Sequence, residues 1–164
     1  MEASAFAALC FLPFVLPICL YVAYTDLAEM KIKNKAVLVL GAVFVVIGPL
    51  VMPFNSYLWQ LTHIPVILIL GMLLNAGGVM GAGDAKFLTA AAPFVAVGDL
   101  QILALLFALI LIAALVTHRL ARASQLRSWA PEWESWTAGK KFPMGLALGP
   151  TLALYLCLAA LNGA

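Results

Sequence analysis

Long apolar runs alternate with short polar stretches along this chain. Ala3 to Thr25 is the first run, and the polar stretch Asp26 to Lys35 follows it. From Ala36 to Gly83 there is then no Asp, Glu, Lys or Arg. About 20 apolar residues cross a bilayer as a helix, so this interval is too long for one span and right for two. Pro49, Pro53 and the Asn55-Ser56 pair mark the break between them. Asp99 interrupts the next run, which resumes at Leu100 and ends near His118. The polar stretch Arg119 to Lys141 precedes a last run, Phe142 to Leu161. The pattern predicts an all-α, polytopic membrane protein, a six-transmembrane-helix bundle. The spans fall roughly at 3–25, 36–52, 57–75, 85–97, 100–118 and 142–161. They make one integral-membrane domain over 1–164.

Composition agrees with that reading. The 164 residues are 65% hydrophobic and 10% charged. A soluble domain is about 45–50% apolar and about 25% charged. A net charge of +2 by itself says nothing about nucleic acid, which is not expected as a partner. The placement of charge says more. With six spans, Lys31, Lys33, Lys35, Lys86, Arg119, Arg122, Arg127, Lys140 and Lys141 all fall on one side. The positive-inside rule makes that side cytoplasmic and puts both termini outside. Merging spans four and five would move Lys86 away from the Arg119–Lys141 cluster and spoil the asymmetry. Cys10, Cys19 and Cys157 lie in apolar runs without Cys-x-x-Cys spacing, so no zinc ribbon is expected, nor any other metal or cofactor. The first run is too long for a cleaved signal peptide and is read as a retained helix.

Two carboxylates stand out against this background. Asp26 closes the first apolar run, and Asp84 closes Gly81-Ala82-Gly83-Asp84, just before Ala85-Lys86. A carboxylate at a bilayer edge is costly and is a functional-site candidate by default. Both fall at the cytoplasmic end of the predicted bundle, Asp26 ending span one and Asp84 beginning span four. Two carboxylates that share one proton supply acid–base hydrolysis: the ionised one activates water and the neutral one polarises the carbonyl. Gly77, Gly78, Gly81 and Gly83 remove side chains around Asp84, so a substrate backbone has room to approach. Span four is short for a roughly 30 Å hydrocarbon core, which draws Asp84 below the headgroups. Plainer readings stand beside these. Asp84 is also a suitable N-cap, Asp26 an ordinary interfacial residue, and Gly81 and Gly83 helix-packing glycines. Lys86 is a topology anchor or the partner of a carboxylate. Asp99 is read as a helix cap on the outer side. Trp129, Trp133 and Trp136, at helical offsets interrupted by Pro131, are read as one face of an interfacial anchor lying on lipid, with substrate docking as the alternative.

These residues resemble the type IV prepilin peptidases, membrane-embedded aspartyl proteases with a Gly-x-Gly-Asp motif. The stretch D-L-A-E-M-K-I-K-N-K carries the family's order of Asp26, basic residues, Ile32 and Asn34, with Lys33 where the family often has Pro. G-A-G-D-A-K at 81–86 is a close match, and F-P-M-G-L-A-L-G at 142–149 resembles the family's Pro-x-Gly segment. The short length is most similar to the Tad/Flp-pilus subgroup. The resemblance implies an endopeptidase of the inner (cytoplasmic) membrane that removes a short basic leader from a prepilin or pseudopilin at the cytoplasmic face. It implies Asp26 and Asp84 as the catalytic pair, with Gly81, Gly83 and Lys86 binding substrate or positioning the loop. The cysteine-rich region of larger, methylating relatives is missing, so peptidase activity alone is expected. Presenilin-like proteases also use Gly-x-Gly-Asp, but they have more spans and a Pro-Ala-Leu motif that this chain lacks. An archaeal preflagellin peptidase is a near alternative. A non-enzymatic membrane subunit or transporter with the carboxylates in an ion path is the alternative from a different class.

Overall fold

The computed structural model describes residues 1–139 and 141–163. Lys140, counted above among the cytoplasmic basic residues, lies outside the described residues. The described residues form six α-helices and no strand: α1 (Ala5–Glu29), α2 (Asn34–Val51), α3 (Phe54–Ala76), α4 (Ala82–Ala91), α5 (Leu100–Ala123) and α6 (Gly145–Asn162). All but α4 are long and apolar enough to cross a bilayer, which makes the chain a multi-pass membrane protein. Prolines sit inside four of these helices, at Pro13 and Pro17 in α1, Pro49 in α2, Pro65 in α3 and Pro150 in α6. Membrane helices tolerate them because neighbouring groups re-satisfy the freed backbone.

Several boundaries differ from the sequence pattern. The α1 helix continues past Thr25 to Glu29, so Asp26 stands inside its last turns rather than after it. The break between α2 and α3 falls at Met52-Pro53, and Pro49 is carried within α2. The region of span four is a ten-residue helix, α4, followed by tight 3-10 turns at Ala92–Phe94 and Val97–Asp99. Pro93, which has no backbone N–H and fits poorly in a helix interior, stands where α4 gives way to the first turn.

The α6 helix is the centre of the bundle. In its spanning window 56% of residues are buried, against 6% in the window of α5. It packs along α1, where Gly149 permits a close approach: a Cβ there would lie 2.5 Å from the Cys19 carbonyl oxygen. Cys19 is buried at this contact, and all three cysteines are free thiols. Beside it, Phe11, Phe44, Phe94 and Tyr57 form an aromatic core that ties α1, α2, α3 and the turn after α4. Phe44 stacks on Phe11 and Tyr57 with centroids 5.7 and 5.6 Å apart, and Phe94 meets it edge-on at 5.2 Å. Gly48 makes room for that Tyr57 ring, since a Cβ there would lie 2.8 Å from it. Leu38, Leu50, Leu73, Leu105 and Ile112 are exposed on α2, α3 and α5, the surface that lipid would cover.

The bundle has two chemically different ends. At one end the backbone N–H groups of Glu2 and Ala3 donate to the Asp99 carboxylate at 2.8 and 3.0 Å. The Tyr155 hydroxyl donates to Asp99 at 2.9 Å and accepts from the Ala96 N–H at 3.1 Å. Asp99 occupies the N-cap position of α5 but makes no side-chain cap bond, contrary to its expected role. Its buried carboxylate instead joins the N-terminal segment to α6. A cavity of 550 Å³ opens at this end, lined by Glu2, Asn55, Ser56, Gln60 and Phe94 among others. The opposite end holds Asp26, the loop before α2, the start of α4 and the start of α6.

Candidate active site

Asp26 is carried on the last turn of α1 and is buried, at 5% exposure. The helix then stops at Met30, which adopts a left-handed conformation (φ 51°) and returns its N–H to the Asp26 carbonyl. That reversal sends Lys31 to Lys33 across the bundle end to the start of α2. Here Lys33 forms an ion pair with Glu29.

Asp84 arrives from a separate glycine-rich turn. Gly78 has φ +72°, a conformation that favours glycine, and the Asn75 side chain donates to the Met80 carbonyl at 2.8 Å, bracing the turn. Gly81 is the N-cap of α4, so Asp84 is the third helical residue and not the cap. From there its carboxylate reaches back to the Gly81 backbone. A Cβ on Gly81 would lie 2.7 Å from Asp84 Oδ2, so any side chain there would push the Asp84 carboxylate from this position. Gly83 faces Ile32, with 3.3 Å between Ile32 Cβ and the place of a Cβ. Its missing side chain therefore serves the packing of the α4 start against the Lys31–Lys33 loop. Lys86 is exposed and donates to Asn34 Oδ1 at 3.1 Å, joining α4 to the first residue of α2. Of its two expected roles, topology anchor or carboxylate partner, the observed contact is with an amide.

The structure thus brings Asp26 and Asp84 to one end of the bundle. Half-buried Asp84 is pushed up to about 6, chiefly by burial and further by the charge of Asp26 nearby, while the Gly81 hydrogen bond works against the rise. A third segment joins them that spacing alone did not assign to the site. The Gly145 N–H, first in α6, donates to Asp26 Oδ2 at 2.5 Å. The F-P-M-G segment was the available signal, because Pro before a helix start is a local instruction that can be read in sequence. Among the described residues, no three His, Cys, Asp or Glu side chains gather as metal ligands.

Over this end lies the segment between α5 and α6. It forms two 3-10 turns, Gln125–Trp129 and Glu134–Trp136, not one helix with three indoles on a face. Only Trp129 is strongly exposed as an anchor would be. Trp136 is buried; it stacks on Trp133 at 5.5 Å and on His118 at 5.1 Å, and Trp133 meets Tyr24 of α1 edge-on at 6.1 Å. This aromatic stack fixes the segment to α1 and α5.

A family model described as the type IV leader peptidase family matches residues 13–117, a stretch that contains Asp26, Asn34 and the whole of Gly81–Lys86. No curated protein and no solved structure gives a significant match.

Proposed function

We propose that this chain, which belongs to the type IV leader peptidase family, is an aspartyl endopeptidase of the inner membrane. Its substrate is a prepilin or pseudopilin, cut at the cytoplasmic face to release a short basic leader. The observation that carries this reading is the meeting of Asp26 and Asp84. They come from segments 58 residues apart in the chain, yet the charge of Asp26 reaches Asp84 in a partly dry site. Two such carboxylates resist ionising together and share one proton at working pH.

The chemistry follows from that shared proton. The ionised carboxylate takes a proton from water as the water oxygen bonds to the scissile carbonyl carbon. The neutral carboxyl gives its proton to the carbonyl oxygen, forming a diol. On collapse, the first proton passes to the departing nitrogen and the second returns to the carboxylate that lent it. The pair ends as it began. Gly81 and Gly83 keep the loop close and narrow beside the substrate, and Lys86 holds it to α2.

The basic side of the chain supports the cytoplasmic assignment. Lys31, Lys33, Lys35 and Lys86 belong to the segments that bring Asp26 and Asp84 together, and Arg119, Arg122, Arg127 and Lys141 lie between the spanning part of α5 and the start of α6. The test is leader removal from a co-expressed Flp-type prepilin in membranes, scored by gel shift. Asp26→Asn and Asp84→Asn should each lower cleavage by about a hundredfold or more at normal protein level. Cleavage retained in either variant refutes the dyad and favours a non-enzymatic role for the carboxylates.

A further inference from the structure

We propose that Gly145, the first residue of α6, is a positioning residue that fixes the division of labour in the pair: it holds Asp26 as the ionised base and leaves Asp84 to carry the shared proton. This rests on the aspartyl-peptidase reading above and adds a part from outside the two Asp-bearing segments.

The argument begins with the free N–H groups of a helix start. The first N–H groups of an α-helix have no partner within it. In α6 the next three are taken locally, Leu146 by the Pro143 carbonyl at 3.2 Å, and Ala147 and Leu148 by the Met144 carbonyl at 2.9 Å each. The Gly145 N–H remains, and it donates to buried Asp26 Oδ2 at 2.5 Å. A donor aimed at a carboxylate favours its charged form, and the positive end of an 18-residue helix adds to that preference. Only glycine permits the approach. A Cβ at position 145 would lie 2.9 Å from Asp26 Cβ and 3.0 Å from Oδ2. Buried Pro143 sets the chain direction just before it.

Asp84 is placed differently. Its backbone partner, Gly81, belongs to its own turn, at the start of a helix of ten residues. The charged group that acts on it is Asp26, which favours the neutral form. Of the cations in the neighbouring segments, Lys33 is engaged by Glu29, with Glu134 also near it, and Lys86 by Asn34; Lys31 and Lys35 are not among the groups whose charge acts on Asp84. One carboxylate is therefore held by a donor from another helix, and the other faces that carboxylate's charge.

The test compares two glycines of the same helix in the full chain, reconstituted in lipid with prepilin. Gly145→Ala pushes Asp26 Oδ2 off its donor. Gly149→Ala instead strains the α1–α6 contact one turn away, at the Cys19 carbonyl. In Gly145→Ala the acid limb of the kcat profile should move up by about one pH unit while the alkaline limb stays. In Gly149→Ala both limbs should stay and only thermal stability should fall. Unshifted limbs in Gly145→Ala, with the dyad variants inactive, would overturn the role assignment and leave the peptidase reading intact. Cleavage retained in Asp26→Asn or Asp84→Asn sinks the peptidase reading itself. Should Gly145→Ala not fold, infrared difference spectra at about pH 5, below the Asp84 value, decide without activity. The neutral-carboxyl band of the pair should vanish in Asp84→Asn. Its loss in Asp26→Asn, with retention in Asp84→Asn, overturns the proposal.

Discussion

At the scale of single residues, Asp84 has a consequence for stability as well as for chemistry. Its carboxyl titrates near 6 in the folded chain against an ordinary 3.8. The folded state therefore binds more protons than the unfolded state between those values, so stability falls as pH rises through that window. Above it the ionised group is a standing cost. Asp84→Asn should raise thermal stability at about pH 8 by on the order of 1 kcal/mol, a figure reduced from the full shift because the group is only half-buried. The gain should shrink to nothing by about pH 4. Thermal unfolding of both proteins in one detergent across that range checks it, and a gain independent of pH would mean that Asp84 is not buried as described. Both carboxylates were legible in the sequence because charge is scarce in an apolar chain. The Gly145 contact was not, since 119 residues separate it from Asp26 and backbone donors leave no mark in composition.

At the scale of elements, the site depends on loops held edge to edge. The Asn34–Lys86 hydrogen bond and the Ile32–Gly83 packing join the start of α2 to the start of α4. Asn34→Ala and Lys86→Ala remove the same bond from opposite sides. Each should lower cleavage by about tenfold, because small misplacements of a catalytic group are expensive. The double variant should be no worse than either single one, as coupled partners do not add. A double variant that loses the product of the two effects would show that they act separately. The apolar runs announced the long helices well, since 20 apolar residues leave few other options in a bilayer. They said less about α4, where Pro93 and the two following turns break a pattern that hydropathy alone reads as one span. The Trp segment misled for a related reason. Offsets of 4 and 3 imply one face only if the residues are helical, and here Trp129 ends one 3-10 turn before Pro131 while Trp133 and Trp136 belong to the next one after it.

At the scale of the whole molecule, α6 runs between two polar clusters with different tasks. Its first residue touches Asp26, and Tyr155, ten residues on, bonds to Asp99. Ten helical residues span about 15 Å, so the second cluster is remote from Asp26. Sequence reading took Asp99 for a cap because it stands before a helix; nothing local reveals that Tyr155 and the N-terminal backbone converge on it. This cluster ties the N-terminal segment to α6 at the end away from Asp26. Tyr155→Phe tests that division. The change keeps the buried ring but leaves the Ala96 N–H without its acceptor and removes one donor from Asp99. A buried unsatisfied group costs about 1–3 kcal/mol, and hydrogen bonds within membrane bundles average nearer about 0.6 kcal/mol. Tyr155→Phe should therefore lose about 1–2 kcal/mol of stability, read as a lower unfolding temperature in detergent. Cleavage per folded molecule should match the wild type at low temperature. If cleavage falls at temperatures where the variant is fully folded, then strain at the Asp99 end travels along α6 to Gly145, and the two clusters act as one device.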